Sequence, residues 1–172
     1  MDFLKLAEER YSVRSFKTEP VKEADLEKIL TAAKLAPTGC NNQPYRILVI
    51  KSEEALAKLK DCTKCHFNAP LAALICYNKE ECWVRKYDGK NCGVCDASIV
   101  TTHMMLEAAS IGVGSTWVMH FDPFAMRKKF NIPENIEPVA LLVMGYPAED
   151  AKPFDMHSIY RPEDETVLYD SF

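Results

Sequence analysis

The chain contains one run of strand length that is more apolar than any other, Val139-Ala140-Leu141-Leu142-Val143-Met144-Gly145-Tyr146. Shorter apolar runs of the same kind lie at 46–50, 71–77 and 115–119. Runs of this length that are bounded by turn residues predict buried strands. Because helical patterns alternate with these strands along the chain, we expect one sheet that is covered by helices.

The helices are predicted from apolar spacing and from capping residues, over 2–10, between Pro20 and Pro37, after Ser52, over 96–112 and after Asp122. Asp96 is predicted to cap the longest of them, and Gly112 is predicted to end it. Apolar residues of this long helix are expected to face inward, namely Ile99, Val100, Met104 and Ala108.

The composition is typical of a globular protein: 172 residues, of which 48% are apolar and 27% are charged. This length predicts a single domain over 1–172. The 25 acidic residues outnumber the 21 basic ones, which argues against nucleic acid or an anionic membrane as a partner. Because the N-terminus lacks signal-peptide features and no 18 apolar residues run together, we expect a cytoplasmic protein.

Two segments are polar but unlike simple linkers. The segment 79–95 is charged, bears cysteines and includes the turn signal Asp88-Gly89; it is interpreted as a solvated loop, a lid or a dimer contact. The segment 147–172 is expected to be extended, yet it retains aromatic and aliphatic residues such as Phe154, Tyr160 and Leu168. We therefore expect 147–172 to be a C-terminal extension that packs on the partner subunit.

A motif just past the first helix, Arg10-Tyr11-Ser12-Val13-Arg14, is suited to binding an anion. In an extended stretch, residues 10, 12 and 14 point the same way, so two guanidiniums and a hydroxyl converge on one phosphate or carboxylate. A solvated surface strand is the alternative interpretation of this motif alone.

A second polar segment lies between a helix and a strand, over Ala36-Pro37-Thr38-Gly39-Cys40-Asn41-Asn42-Gln43-Pro44-Tyr45. Gly39 and Asn41 can adopt positive φ, and Thr38, Asn41 and Gln43 offer hydrogen-bonding groups for a heterocycle or a sugar. The alternative is a turn that uses these groups for its own capping. The central residues 37–43 are called the polar loop below.

These two segments, in this order, together resemble the nitroreductase family of flavin-dependent oxidoreductases. The segment Ile111-Gly112-Val113-Gly114-Ser115-Thr116-Trp117 is similar to the glycine-bearing segment that follows the family's central helix. Arg161, followed by Pro162-Glu163, matches the basic residue near the family's C-terminus. The resemblance extends from Arg10 to about Tyr169.

The resemblance implies an α+β, nitroreductase-like fold with a mainly antiparallel sheet sandwiched between helices, in an interlocked homodimer. It implies FMN at two equivalent interface sites and NADH or NADPH as the reductant. The electrons would pass to a small electron-poor acceptor such as a nitroaromatic or a quinone. Dehalogenation or fragmentation of the flavin are alternatives within the same fold.

The resemblance also implies a role for each matching residue. Arg10, Ser12 and Arg161 would hold the phosphate and ribityl chain, with Tyr11 in the same cofactor-binding motif, and Arg14 would lie beside N1 and O2 of the flavin. Residues of the partner's polar loop would reach the cofactor: Pro37, Thr38, Gly39 and Asn41. Backbone N–H groups would address flavin N5 and O4 from Trp117, Val118, Met119 and His120.

His120 is the one candidate for proton donation by a side chain, since imidazole titrates near neutrality; an ordinary, partly exposed histidine is the alternative. No lysine or arginine between residues 60 and 75 can be matched to a basic residue of the family, so the catalytic side chains, if any, are unknown at this stage. Hydride transfer to a flavin requires alignment of the two rings more than an acid or base.

Two CxxC pairs, Cys62/Cys65 and Cys92/Cys95, form the spacing of a possible four-cysteine zinc site. Their separation by a predicted buried strand argues against it, and free thiols in a reducing cell are the preferred interpretation. A redox dithiol is a further alternative. Two other functions therefore stay open: a flavin-binding protein without NAD(P)H turnover, and a zinc-stapled interaction module.

Overall fold

The computed structural model describes residues 2–172, in which six α-helices and four strands are formed. The strands are β1 (Tyr45–Ile50), β2 (Leu71–Asn78), β3 (Gly114–Val118) and β4 (Ile136–Gly145). The helices are α1 (Phe3–Glu9), α2 (Glu23–Leu35), α3 (Glu53–Lys60), α4 (Gly93–Ser110), α5 (Pro123–Phe130) and α6 (Glu163–Thr166). The strands form one antiparallel sheet in the order β1-β2-β4-β3.

The sheet is covered by helices on both faces, as expected for an α+β sandwich. Every residue of β2 is buried. Ala73 and Ile75 pack in one core cluster with residues of α2 and α4, whereas Ala72 and Leu74 pack in a second cluster with residues of α3 and α5. Because both faces of the central strands are buried, their sequences are continuously apolar instead of alternating.

The long helix α4 lies against the sheet through a stripe that includes Val100, Met104 and Ala108, as predicted. The prediction for Ile99 is wrong: its side chain is 37% exposed. Ile99 precedes Val100 by one residue, which places it about 100° around the helix from the buried stripe. Gly112 follows the helix with φ of +79°, which confirms it as the terminating residue.

The beginning of α4 also differs from the prediction. The helix starts at Gly93 with Cys92 as its N-cap, so Asp96 lies inside the first turn and does not cap it. A Cβ on Gly93 would lie 2.1 Å from Cδ2 of Tyr77, which means that only glycine allows the helix to begin this close to the sheet. The buried Asp96 has another hydrogen-bond partner, described below.

Two shorter helices begin where capping residues predict them. The Ser52 hydroxyl accepts from the N–H of Ala55 at 3.2 Å at the start of α3. One carboxylate oxygen of Asp122 accepts from the N–H groups of Phe124 and Ala125 at 2.9 and 3.0 Å at the start of α5. Both caps satisfy backbone donors that have no partner within the helix.

The first part of the segment after β4 packs against the N-terminal residues of the same chain. The Ala148 N–H donates to the Ser15 carbonyl at 3.1 Å, the Tyr11 hydroxyl donates to the Ala151 carbonyl at 3.2 Å, and a ring nitrogen of His157 lies 3.0 Å from the Glu8 carbonyl. Residues 158–172 are all exposed. The expected contact of 147–172 with a partner therefore stays a prediction for the part after His157. None of the helices in residues 2–172 is long and apolar enough to cross a membrane.

Candidate functional site

The segment that carries the two arginines, residues 10–14, lies beside the edge strand β3. Ser12 forms a parallel bridge with Ser115, and the Val13 N–H donates to the Ser115 carbonyl at 3.0 Å. A Cβ on Gly114 would lie 2.7 Å from Cγ2 of Val13, so this close approach requires a glycine. The structure thus joins the first motif to the glycine-bearing segment, two regions about 100 residues apart in sequence.

A cavity of about 140 Å³ lies where these segments meet, lined in part by Arg10, Tyr11, Val13, Gly112, Gly114 and Ser115. Arg10 closes α1, and its Nη1 lies 3.5 Å from Sδ of Met105 on α4. Partial burial lowers the pKa of the Arg10 guanidinium. Glu9 also lines the cavity, but its carboxylate pairs with Lys5 at 3.7 Å.

Arg14 is exposed and is held by weak contacts. Its Nη1 donates to the Ser12 carbonyl at 3.1 Å, and its Cζ lies 4.4 Å from the ring centroid of Phe154 and 6.0 Å from that of Phe67. Within residues 2–172, neither Arg10 nor Arg14 forms an ion pair with a carboxylate. An uncompensated guanidinium at the cavity and a second, exposed one on the same short segment are suited to an anionic ligand.

The polar loop lies elsewhere in the same chain, at the N-terminus of α4. The Gly39 N–H donates to Oδ1 of Asp96 at 2.9 Å, and the Thr38 hydroxyl accepts from the Gln43 N–H at 3.0 Å. In the part of the chain that the structure describes, no hydrogen bond joins this loop to residues 10–14. The loop, with Pro37, Thr38, Gly39 and Asn41, is bonded to Asp96 at the start of α4, whereas Arg10 contacts Met105 further along the same helix.

The segment that was expected at flavin N5 spans the end of β3. Trp117 and Val118 are the last residues of the strand, and Met119 and His120 follow it and are exposed. The His120 carbonyl accepts from the Thr63 hydroxyl at 2.6 Å. This bond fixes the backbone direction at the point where residues 117–120 leave the sheet.

Beside His120 lies a cavity of about 350 Å³ that the sequence did not reveal. Lys60 and Lys64 line it together with Thr63. These lysines lie in the region 60–75, where the sequence analysis could match no lysine or arginine to the basic residue expected from the resemblance. Their position depends on the chain path between α3 and β2, which no local pattern in the sequence indicates.

Arg161 lies in the exposed segment after His157 and pairs with Glu165 at 3.2 Å on α6. The contact of His157 with Glu8 brings this segment back to α1, the helix that ends at Arg10. No direct contact between Arg161 and Arg10 occurs within residues 2–172.

The four cysteines of the CxxC pairs are not brought together. Cys62 and Cys65 belong to the core cluster on the α3 and α5 face, whereas Cys92 and Cys95 lie at the start of α4, on the opposite face. No group of three or more His, Cys, Asp or Glu side chains in residues 2–172 is arranged to hold a metal ion. The zinc-stapled arrangement therefore lacks the geometry that it requires.

Comparisons with known proteins agree with this arrangement. The sequence model of the nitroreductase family matches residues 7–75 and 67–146. A crystal structure of a nitroreductase family protein from Clostridium difficile 630 is 40% identical, with a TM-score of 0.94 and coverage of 100% of both chains. An FMN-dependent nitroreductase from Clostridium difficile R20291 is 27% identical, with a TM-score of 0.81 over 98% of this chain and 99% of that one.

A relative by sequence is the FMN reductase (NAD(P)H) of Bacillus subtilis, which is 24% identical over 86% of this chain and 67% of its own length. Together, the fold and these relatives define an FMN-dependent oxidoreductase that uses NAD(P)H. The chain belongs to the nitroreductase family.

The residues present fit an FMN phosphate. Arg10 carries a charge without a carboxylate partner in residues 2–172, Ser12 adds a hydroxyl, and Gly114 lets residues 10–14 approach β3 closely. Cationic and hydroxyl donors of this kind bind phosphate, and the exposed charge of Arg14 remains available for the flavin ring. When bound, FMN supplies the ring that receives hydride from the nicotinamide and gives electrons to an acceptor.

Proposed function

We propose that the protein is a homodimer that binds FMN between its subunits and uses NADH or NADPH to reduce a small electron-poor acceptor, such as a nitroaromatic or a quinone. The observation that carries the proposal is a pair of guanidiniums on one short segment, Arg10 and Arg14, neither of which has a carboxylate partner in residues 2–172. Arg10 lines the cavity at the glycine segment, and Arg14 is exposed further along the same segment. The family membership supplies the reaction class.

In this proposal Arg10, Tyr11, Ser12 and Arg161 hold the phosphate end of the cofactor. Arg14 places a fixed positive charge beside N1 and O2, which favours the more negatively charged, reduced state and raises the reduction potential. The backbone of residues 117–120 orients the ring at N5, supported by the bond between Thr63 and the His120 carbonyl.

Two features support the dimer. The polar loop is bonded to the start of α4, whereas Arg10 contacts Met105 further along the same helix, and a second copy would bring both regions to one cofactor. The C-terminal segment exposes apolar side chains that a monomer would leave in water: Phe154, Met156, Ile159, Tyr160, Val167, Leu168, Tyr169 and Phe172. Apolar residues on such a scale are typical of a protein–protein interface. The seven free thiols favour a reducing compartment, the cytoplasm.

The acceptor cavity is proposed to lie beside His120, where Lys60 and Lys64 line the wall. The lysines offer positive charge to the oxygen atoms of a nitro group or a quinone. Two carboxylates also line the cavity, but Asp61 pairs with Lys129 and Asp122 caps α5. His120 is proposed as a side chain that shapes this cavity or donates a proton to the acceptor.

Steady-state kinetics of the FMN-loaded protein tests the proposal. We expect loss of the visible flavin absorbance on addition of NADH or NADPH, and its return on addition of benzoquinone or nitrobenzene. An acceptor-dependent oxidation of NAD(P)H should follow Michaelis kinetics. Bound FMN that NAD(P)H does not reduce would contradict the proposal and favour a flavin-binding protein without turnover.

A further inference from the structure

We propose that Asp96 is the positioning residue that holds the polar loop in the conformation that binds the partner's FMN. The inference rests on the proposed function, which assigns Pro37, Thr38, Gly39 and Asn41 to that cofactor. Asp96 itself is not proposed to touch FMN or the reacting atoms.

The carboxylate of Asp96 is directly bonded to the loop. The side chain is 2% exposed, and its Oδ1 accepts from the Gly39 N–H at 2.9 Å. Hydrogen bonds to a carboxylate are stronger than those between neutral groups. Because Asp96 lies in the first turn of α4, this bond ties the loop to the longest helix of the chain.

Gly39 is also enclosed on its other side. A Cβ at this position would lie 2.9 Å from Cβ of Trp83 and 3.8 Å from Oδ1 of Asp96. Contacts this short to another Cβ cannot be relieved by a side-chain rotation, so any larger residue must displace the loop. Asp96 and Trp83 together therefore define where Gly39 lies.

The loop conformation needs such external support. Cys40, Asn41 and Gln43 have φ values of 51°, 56° and 51°, a left-handed region that is unfavourable for residues with a side chain. Beyond the bonds within the loop itself, two hydrogen bonds tie residues 37–43 to the rest of the described chain. These are the bond to Asp96 and the one from Nδ2 of Asn42 to the Glu81 carbonyl at 3.0 Å.

The second oxygen of Asp96 makes the residue unusual. In residues 2–172, Oδ2 is buried and has no hydrogen-bond partner. A buried polar atom without a partner carries a free-energy cost. Because no hydrogen-bond network around Oδ2 offsets this cost in residues 2–172, the burial of the carboxylate needs another explanation. Within the described residues, the bond to Gly39 is the one hydrogen bond of the Asp96 side chain, and it supplies that explanation.

The substitution Asp96→Asn tests this inference because it preserves the shape of the side chain. It removes the negative charge and places an amide, whose N–H donors have no partner there, where Oδ2 lies. We expect the dissociation constant of FMN to rise about tenfold. Turnover at saturating FMN should return to the wild-type value, since Asp96 does not act on the chemistry.

Gly39→Ala perturbs the same contact from the loop side and should raise the dissociation constant by a similar factor. In the double variant the two increases in the dissociation constant should be strongly non-additive, because both substitutions disrupt the same contact between Asp96 and the polar loop. Asp25→Asn is the control: this carboxylate accepts from the Tyr146 hydroxyl at 2.7 Å and pairs with Lys28 at 3.4 Å, but has no bond to the polar loop in residues 2–172. The substitution should leave FMN affinity unchanged.

The outcomes separate this inference from the proposed function. If wild-type protein binds FMN and Asp96→Asn binds it equally well, the positioning role is overturned and the proposed function stands. If Asp96→Asn fails to fold, Gly39→Ala decides, and unchanged FMN affinity in that variant overturns the inference. Wild-type protein that binds no FMN overturns both.

Discussion

At the scale of the residue, Arg14 is a cation whose nearest neighbours are a carbonyl and two aromatic rings. A guanidinium over an aromatic face is attracted by the ring quadrupole and keeps its donors free for a ligand. The stacking on Phe154 thus restricts the direction of Arg14 without neutralising its charge.

The first prediction concerns this residue. Arg14→Ala should raise the dissociation constant of FMN by about 10- to 100-fold, the range for loss of a charged hydrogen-bonding group. It should also slow the reduction of bound FMN by NAD(P)H, since the charge that favours the reduced cofactor is removed. Fluorescence titration and stopped-flow absorbance measure the two quantities.

Arg46→Ala serves as the control for Arg14, because Arg46 is also exposed but pairs with Glu81 at 2.7 Å. The Arg46 substitution should leave the dissociation constant of FMN and the rate of FMN reduction by NAD(P)H unchanged. An Arg14 variant that behaves like this control would show that the cofactor does not lie beside Arg14.

A second prediction at this scale concerns Cys76, which is 3% exposed in β2. Burial raises the pKa of its thiol from 9.0 to about 12. Below pH 9 the thiol is protonated in both states, and between pH 9 and 12 only the unfolded chain loses the proton. The free energy of unfolding should therefore fall in this window, by up to about 1.4 kcal/mol per pH unit for this one group.

Urea unfolding of wild type and Cys76→Ala, at several pH values and one protein concentration, measures this effect. The variant should be less stable at pH 8 because a cavity is created, but its stability should fall less steeply above pH 9. Burial also raises the pKa of Cys62 and Tyr77, which contribute equally to both proteins. Identical pH dependence in the two proteins would refute the assignment to Cys76.

Sequence patterns predict the role of a residue where that role depends only on its neighbours in the chain. The alternation of Arg10, Ser12 and Arg14 depends only on an extended backbone. The structure places Ser12 in a bridge beside β3, with Arg10 against Met105 and Arg14 over Phe154, and the convergence of their donors on one anion stays a prediction. Asp96 was predicted as a cap because an acid before a helix usually has that role. Its actual partner, Gly39, is 57 residues away, and no local rule identifies a bond of that range.

Gly39 shows the same limit. Gly39 and Asn41 are both residue types that can adopt positive φ, and of the two only Asn41 does. Glycine is required at position 39 because Trp83 leaves no room for a Cβ. Cys40 and Gln43 adopt left-handed conformations that their residue types do not indicate, since the surrounding structure imposes them.

At the scale of the element, the strands and helices were predictable because the spacing of apolar residues and the capping residues indicate the same elements at the same positions. The apolar runs of β2 and β4 became strands that are largely buried on both faces, and Ser52 and Asp122 begin the helices that they were predicted to begin. The prediction of a buried strand is wrong for the run 46–50, because β1 lies at the edge of the sheet and exposes Arg46 and Leu48. Strand order was not predictable from these patterns. The pairing of β2 with β4, and of β4 with β3, depends on contacts between distant segments.

The third prediction tests a cap. Asp122→Ala removes the acceptor for the N–H groups of Phe124 and Ala125, and should lower the free energy of unfolding by about 1 kcal/mol. For a chain of this length the midpoint of thermal unfolding should drop by about 2–4 °C. Asp122→Asn retains an acceptor and should lose much less; equal losses in both variants would mean that the carboxylate stabilises the fold by another route.

At the scale of the whole molecule, the chain exposes much of the apolar surface of its C-terminal segment and separates its two candidate cofactor-binding regions. Neither feature is explained by a monomer. The proposed interlocked pair of chains would account for both, because it would cover the segment after His157 and bring the polar loop of one copy to the arginines of the other.

The measurement that tests this account most directly is light scattering coupled to gel filtration, combined with a titration of the purified chain with FMN. The account predicts a particle of two chains that binds two FMN molecules and becomes yellow. A particle of one chain that fails to retain added FMN would contradict it.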